Sequence, residues 1–168
     1  MTRPLRAGDS GPEFQGADTS GRVWRSGALR DRWVVIFFYP RDFSPVCTAQ
    51  ACAFRDVEDR LVELGAAVLA VSRDTPAEHR RFAARHALRY PLLSDADGSL
   101  AGAFGVRRRM LGLAPGRETF VIDPSWRVAM VCRSMLRGPD HARRVVRFLE
   151  SQTGGPGAGG GAPVPSRP

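Results

Sequence analysis

Two runs of apolar residues stand out in the first half of the chain. Residues 33–39 join β-branched and aromatic side chains without a polar interruption, and this run ends at Pro40. Residues 66–72 form a second, mostly apolar run. Continuous runs of this length are typical of strands that are buried on both faces. Both segments are therefore predicted to be central strands of a sheet.

Between the two runs, apolar residues recur at spacings of three and four, which places them on one face of a helix. These residues are Phe54, Val57, Leu61 and Leu64. The helix is predicted to begin near Val46 or Cys47, after a loop that contains two prolines, and to end before Gly65. Its apolar stripe is predicted to face the core.

A second helix, residues 76–86, is predicted to follow the second strand, with Thr75 as its N-cap and a proline in its first turn. The order strand, helix, strand, helix predicts a parallel sheet with helical crossovers. Residues 118–123 and 127–132 predict an antiparallel hairpin that completes the sheet, and residues 140–150 predict a last helix. The predicted fold class is α/β, a central mixed sheet flanked by helices.

The rest of the chain predicts smaller features. They are an irregular lead-in at residues 1–13, a turn near 19–21 between two short extended pieces, a short strand at 92–93, one or two helical turns at 101–104 and a loop at 107–116. Residues 1–150 together predict a single domain. Residues 151–168 are nearly all Gly, Pro, Ala and Ser, and this composition predicts a disordered tail.

The net charge of +8 comes entirely from arginine, because the chain has no lysine. The arginines are scattered through every segment and do not form one stripe with interleaved aromatic residues, so no nucleic-acid partner is predicted. No apolar run is long enough to span a bilayer, and no basic and apolar export signal opens the sequence. A cytoplasmic protein without a membrane partner is predicted.

Three cysteines without an export signal predict reactive or buried thiols and not a disulfide framework. Cys47 and Cys52 are separated by four residues, and no histidine has ligand-like spacing to them, so no zinc site and no cofactor are predicted. Cys132 lies in a predicted strand among Val and Met, which favours a structural role. His79 stands beside two arginines and is predicted to be solvated, without a chemical role.

The position of Cys47, where a loop delivers it to the start of a helix, favours a thiolate. A helix N-terminus contributes about 0.3–1 kcal/mol, whereas ionising a free thiol at neutral pH requires about 2 kcal/mol. A cation is therefore needed near Cys47. Arginine suits this task, because it stays charged and its fork can hold the sulfur together with a second acceptor atom.

The segment Pro40-Arg-Asp-Phe-Ser44-Pro-Val-Cys47 resembles the peroxiredoxin motif, which is a proline, three residues, Thr or Ser, two residues and a cysteine. The resemblance covers roughly residues 8–150. Other segments that carry it are Phe37-Phe38-Tyr39, Ser72-Arg-Asp74, Leu92-Leu93-Ser94-Asp95 and Arg117-Glu-Thr-Phe-Val-Ile-Asp123. The most similar branch is the bacterioferritin comigratory protein, or peroxiredoxin Q. This resemblance implies a thioredoxin-like fold.

The resemblance also implies an activity and a set of site residues. Cys47 would be the peroxidatic nucleophile, Ser44 a hydroxyl that holds the peroxide, Pro40 a shield over the thiolate and Arg117 its stabilising guanidinium. Cys52 would resolve the sulfenic acid of Cys47 as an intramolecular disulfide. The implied partners are hydrogen peroxide or an organic hydroperoxide and thioredoxin or a similar thiol reductant, and the implied state is a monomer or weak homodimer.

Several alternatives stay open at this point. Arg41 or the arginines at 107–109 could compete with Arg117 for the thiolate, and this chain has Gln50 where the family usually has a glutamate. A thioredoxin-like disulfide oxidoreductase is disfavoured, because such enzymes need two sulfurs two residues apart. A redox sensor, in which oxidation of Cys47 switches an interaction, remains the alternative from another functional class.

Overall fold

The computed structural model describes residues 3–109 and 114–153, and the elements given below are those of these two ranges. The strands are β1 (Gln15–Ala17), β2 (Val23–Arg25), β3 (Trp33–Phe38), β4 (Ala66–Ser72), β5 (Leu92–Ser94), β6 (Arg108–Arg109), β7 (Ala114–Pro115), β8 (Glu118–Ile122) and β9 (Val128–Arg133). The helices are α1 (Pro45–Glu63), α2 (Pro76–His86), α3 (Ser99–Ala103) and α4 (Gly138–Thr153), with a 3-10 turn at Ser26–Leu29.

Five strands form one mixed sheet in the order β5-β4-β3-β8-β9. β3 pairs in parallel with β4 and antiparallel with β8, and β8 and β9 form the predicted hairpin. The predicted α/β class with a central mixed sheet is confirmed. β1 and β2 form a separate two-stranded ribbon, as the turn near residues 19–21 predicts.

The central position of β3 explains why its sequence is apolar without interruption. Val35 and Phe37 face one side of the sheet, in a core that includes residues of α1, α2 and α4. Val34, Ile36 and Phe38 face the other side, in a second core that includes residues of α3 and of several loops. All five side chains are fully buried, so a polar residue at any of these positions would lack water as a partner.

α1 carries Cys47 and Cys52 and packs against the sheet as its apolar stripe predicts. Phe54 of α1 stacks on Phe37 of β3 with ring centroids 4.4 Å apart. Ser44 is the N-cap residue, and Pro45 occupies the first turn, where a missing N–H costs no helical hydrogen bond. α2 begins with a complete capping box between Thr75 and Glu78, which confirms its predicted start.

Three predicted features differ most clearly from the structure. α3 spans Ser99–Ala103 and not residues 101–104, and α4 spans Gly138–Thr153, so it begins two residues earlier and runs three residues beyond the predicted start of the tail. The predicted loop at 107–116 contains the two-residue strands β6 and β7, and residues 110–113 lie outside the described residues. The predicted disordered tail from residue 154 onward also lies outside them. No helix in the described part of the chain is long and apolar enough to cross a membrane.

Candidate active site

The candidate site lies where β3 ends and α1 begins. The chain leaves β3 at Phe38, passes through a loop at residues 40–44 and enters α1 at Pro45. Cys47 lies in the first turn of α1, and its side chain is almost completely buried. The first N–H groups of a helix have no intrahelical partner and carry the positive end of the helix dipole. The thiol of Cys47 is therefore held where negative charge is favoured.

Arg117 is the cation that contacts the Cys47 sulfur. It precedes β8, and because Glu118 of β8 pairs with Phe38 of β3, Arg117 is placed beside the end of β3. Its Nη2 donates to Cys47 Sγ at 3.2 Å, and its Nε donates to the Met135 carbonyl oxygen at 2.9 Å. Arg117 is itself buried, so its charge acts on the sulfur without screening by bulk water.

The rival arginines take other positions. The side chains of Arg41 and Arg107 are exposed to solvent. The side chains of residues 108 and 109 lie outside the described part of the structure. Among the arginines whose side chains are described, Arg117 is the one that donates a hydrogen bond to the Cys47 sulfur.

Gln50 holds the other side of the Arg117 guanidinium. Its side-chain oxygen accepts from Arg117 Nη1 at 2.5 Å, and the residue is completely buried. α4 approaches this contact closely at Gly138, where a Cβ atom would lie 2.8 Å from Gln50 Cβ and 3.1 Å from the Val46 carbonyl oxygen. Only glycine lets α4 pack this tightly over the site.

Pro40 and Ser44 lie at the two ends of the loop that precedes Cys47. Pro40 is half-buried, and Ser44 is the N-cap residue of α1. The Ser44 hydroxyl donates to the Arg41 carbonyl oxygen at 3.1 Å. To donate to a peroxide it must rotate away from that oxygen, so the roles that the resemblance implies for both residues stay predictions.

The other two cysteines differ in accessibility. Cys52 is half-buried on α1, one and a half turns after Cys47, and both thiols are free. Cys132 is completely buried in β9, opposite Thr119 of β8. Burial raises the pKa of the Cys132 thiol, so it stays protonated and is a poor nucleophile.

A buried polar network fixes the loop before Cys47. The Asp42 carboxylate accepts from the Tyr39 hydroxyl at 2.7 Å and lies 2.8 Å from His79 Nδ1, and the Asp42 backbone N–H donates to Asp74 at 2.8 Å. These contacts hold Phe43 at a φ of 60°, which is strained for a side chain of its size. Burial and the neighbouring Asp42 carboxylate raise the pKa of Tyr39 well above its usual range, so its hydroxyl remains a donor.

The predicted solvation of His79 is wrong. His79 is completely buried, and its Nε2 lies 3.3 Å from the Leu93 carbonyl oxygen. The physical reason is its place on α2, three residues before Phe82, which puts both on the face that packs against the sheet.

Asp42, Asp74 and His79 also form a group in the described residues whose ligand atoms lie close enough together to hold a metal ion. However, His79 Nδ1 and the Asp42 carboxylate already face each other, and Asp74 accepts from the Ser72 hydroxyl at 2.5 Å. The hydrogen bonds of these groups give each of them a structural role.

An open cleft of about 310 Å³ adjoins the same loop and is lined by Arg41, Phe43, Ser44 and Arg81, among others. A larger depression of about 680 Å³ lies apart from Cys47, between the β1-β2 ribbon and α3.

His141 of α4 lies next to Gln50, which in turn contacts Arg117, and it is almost completely buried. Burial, together with the charges of Arg117 and Arg144, lowers the pKa of His141 to about 4, and Asp140 opposes this shift. The folded chain therefore keeps His141 neutral at pH values at which the unfolded chain protonates it. The contribution to stability is complete above the unfolded pKa of about 6.5, and it decreases as the pH falls toward about 4.

We accordingly expect the wild type to lose about 3 kcal/mol more free energy of unfolding between pH 7 and pH 4 than the His141→Asn variant, which does not titrate there. Urea unfolding of both proteins at pH 7, 5.5 and 4 measures this difference, and groups common to the two proteins cancel in the comparison. Parallel curves for wild type and variant would contradict the depressed pKa.

The chain is similar to known proteins over most of its length. Residues 7–131 match the AhpC/TSA family. The chain is 35% identical over 140 residues to a chloroplastic peroxiredoxin Q of Gentiana triflora, which covers 83% of this chain and 64% of that protein. A chloroplastic peroxiredoxin Q of Populus jackii is 33% identical, over 88% of this chain and 69% of that protein. The chain thus spans about two thirds of the length of these plant relatives.

Solved structures give the same grouping. The fold matches peroxidoxin BcpB from Mycobacterium tuberculosis with a TM-score of 0.80 and 37% identity, over 88% of this chain and 97% of that one. A Xanthomonas campestris bacterioferritin comigratory protein with alkyl peroxide reduction activity matches with a TM-score of 0.76 and 30% identity, over 83% and 91% of the two chains.

Proposed function

This chain belongs to the AhpC/TSA family and, within it, to the peroxiredoxin Q branch, and from that premise we propose that it is a thiol peroxidase whose nucleophile is Cys47. The observation that carries the proposal is the hydrogen bond of 3.2 Å from Arg117 Nη2 to the buried Cys47 sulfur, at the start of a helix. This arrangement favours a thiolate and leaves the guanidinium beside the path of the reacting oxygen.

In the first step the Cys47 thiolate attacks one oxygen of a hydroperoxide, and the O–O bond breaks. The sulfur is oxidised to sulfenic acid, and the leaving oxygen departs as alkoxide or hydroxide and takes a proton from water. Negative charge moves from sulfur to oxygen, so donors placed along that path lower the barrier. In this proposal Arg117, the Ser44 hydroxyl and the first N–H groups of α1 are those donors, and Pro40 shields the thiolate from water.

In the second step the Cys52 thiol attacks the Cys47 sulfenic sulfur, water leaves and a disulfide forms. A dithiol reductant of the thioredoxin type then reduces this disulfide by thiol–disulfide exchange, which returns both thiols. Cys52 is supported by its free, half-buried thiol on the same helix, whereas Cys132 is completely buried.

The remaining partners follow from the same proposal. The enzyme acts on hydrogen peroxide and organic hydroperoxides, in the cytoplasm, as a monomer or weak homodimer. The proposal includes no nucleic-acid partner, because many arginines form ion pairs with carboxylates of the same chain. Such pairs join Arg3 to Asp9, Arg30 to Glu13, Arg60 to Glu150 and Arg89 to Asp59.

Stopped-flow mixing of the reduced protein with hydrogen peroxide and with an alkyl hydroperoxide tests the proposal, followed by mass spectrometry of the product. The expected product carries a Cys47–Cys52 disulfide, and excess reductant and peroxide should give many turnovers. A redox sensor would react once and then stop. Absence of any reaction at Cys47 would overturn the proposed function.

The Cys52→Ala variant should react once with peroxide and then stall as a Cys47 sulfenic acid, because no neighbouring thiol remains to displace water. With further peroxide it should over-oxidise, and its turnover with a thioredoxin-type reductant should fall at least about tenfold. The matched control is Cys132→Ala, which should turn over as the wild type does. Normal turnover of Cys52→Ala, or a Cys47–Cys132 linkage in peptide maps of the oxidised wild type, would assign the resolving role elsewhere.

A further inference from the structure

A line of buried polar side chains continues from Arg117 away from Cys47. Gln50 of α1 contacts Arg117 on one side and His141 of α4 on the other, with its Nε2 3.5 Å from His141 Nδ1. Thr119 of β8 meets the same ring nitrogen, with its hydroxyl oxygen 2.8 Å away. Gln50, Thr119 and His141 are each at most 1% exposed, so none of them exchanges its partners freely with water.

The chemistry of Arg117 determines the direction of every hydrogen bond in this line. A guanidinium can only donate, so the Gln50 oxygen has to face Arg117, and the Gln50 NH2 group consequently faces His141. With the Gln50 NH2 group facing it, His141 Nδ1 presents its single lone pair, which accepts from the Thr119 hydroxyl at 2.8 Å and lies 3.5 Å from Gln50 Nε2. The ring is therefore neutral and carries its proton on Nε2.

The surroundings of His141 favour this neutral form. Burial and the charges of Arg117 and Arg144 lower the pKa of His141 and so disfavour the doubly protonated, charged ring, and Asp140 is the acidic group that acts in the opposite direction. His141 Nε2 is buried and has no hydrogen-bond partner in the described part of the chain. Leaving a buried polar ring nitrogen without a partner is unfavourable, so a residue that serves packing alone would be better replaced by an apolar side chain.

We propose that His141 is a positioning residue that acts through Gln50 to hold Arg117 against the Cys47 sulfur. The inference rests on the proposed function, because it assigns His141 to the peroxide step of that reaction. None of the three groups behind Arg117 carries a negative charge, so the positive charge of Arg117 is left for the thiolate. His141 touches neither the sulfur nor the peroxide, and its contribution is the orientation of the Gln50 amide.

Loss of the ring acceptor should release Gln50. In a His141→Leu variant the Gln50 NH2 group has no acceptor, and rotation of the amide would bring NH2 against the Arg117 guanidinium. Arg117 would then move off the sulfur. We expect the second-order rate constant with hydrogen peroxide to fall at least about tenfold and the thiolate absorbance of Cys47 to appear at higher pH.

A conservative variant separates positioning from packing. In His141→Asn the side-chain oxygen can take the place of Nδ1 as acceptor, so this variant should recover most of the rate that His141→Leu loses. Leu149→Ala is the matched control for stability, because Leu149 is a buried apolar residue of the same helix and takes no part in the hydrogen bonds of the line. It should destabilise the fold and leave the rate constant unchanged.

Nitrogen-15 NMR of the wild type at pH 7 adds a readout that does not depend on any variant. The expected spectrum shows His141 with a bare Nδ1 and a protonated Nε2. A proton on Nδ1, or unchanged rate and thiolate titration in a folded His141→Leu variant, would overturn the inference. If the wild type itself fails to react with peroxide at Cys47, the proposed function fails instead, and the two outcomes are thereby distinguished.

Discussion

We expect the Cys47→Ser variant to lose all measurable peroxidase turnover while keeping the native fold. A serine hydroxyl is close to a thiol in size, so the first turn of α1 can pack as before. However, the hydroxyl stays protonated at neutral pH and is a weak nucleophile without an adjacent base. Arg117 Nη2, which donates to sulfur at 3.2 Å in the wild type, would then face a neutral oxygen. Turnover is measured by coupling peroxide reduction to oxidation of a thioredoxin-type reductant.

The matched control for this variant is Cys132→Ala, which removes an equally buried thiol to which no cation of the described residues donates a hydrogen bond. Its turnover should equal that of the wild type. Far-ultraviolet circular dichroism of both variants checks the fold. Retention of more than a few per cent of turnover by Cys47→Ser would remove Cys47 from the role of nucleophile.

The central strands and the main helices could be predicted because burial leaves a direct record in the sequence. β3 and β4 are covered on both faces and are apolar throughout, and α1 shows its core-facing stripe at spacings of three and four. α3 begins two residues before its predicted start, because that start is not capped by the side chain of the preceding residue. The Asp95 carboxylate accepts from the N–H groups of Leu100 and Ala101, and this cap reaches across a turn that no local pattern indicates.

The proposed nucleophile and the arginine that contacts it differ in how far the sequence could identify them. Cys47 stands out through its spacing to Pro40 and Ser44. Arg117 does not stand out among the arginines of the chain, and only the resemblance selected it. The structure explains why: the antiparallel pairing of β8 with β3 brings Arg117 to a sulfur 70 positions earlier in the chain.

The contacts of the two buried histidines could not be predicted from the sequence, because their partners lie far away along the chain. The position of His79, three residues before Phe82 on one helical face, was a usable signal of burial, but its partner Asp42 lies 37 residues away in a loop. His141 and Gln50 are 91 residues apart and meet only because Gly138 lets α4 pack closely on α1. Such tertiary contacts leave no periodic pattern in either segment.

Disulfide formation should unwind the first turns of α1. Five residues along an α-helix place the Cα atoms of Cys47 and Cys52 roughly 8–9 Å apart. A disulfide tolerates a Cα separation of at most about 7 Å. The structure holds both free thiols within one continuous helix, Pro45–Glu63, so the bond cannot form while that helix is intact.

We expect hydrogen exchange to detect this change as a loss of amide protection from residue 46 to residue 53 on oxidation. Opening requires that Cys47 and Ala51 become exposed and that the Tyr90 hydroxyl release the Ala51 carbonyl oxygen, to which it donates at 2.8 Å. This should cost a few kcal/mol in the reduced protein, and the disulfide removes that protection. Because about 1.4 kcal/mol corresponds to a factor of ten, exchange in this segment should accelerate about a hundredfold or more.

The unwinding should stop at Phe54, because its ring is completely buried and stacked on Phe37 of β3 at 4.4 Å. Amides of residues 34–38 in β3 should keep their protection in both states. The Cys52→Ala variant treated with one equivalent of peroxide is the control, since a sulfenic acid on Cys47 needs no approach of a second sulfur. Equal protection of residues 46–53 in reduced and oxidised wild type, with the Cys47–Cys52 bond confirmed by peptide mapping, would mean that the disulfide forms without opening this helix.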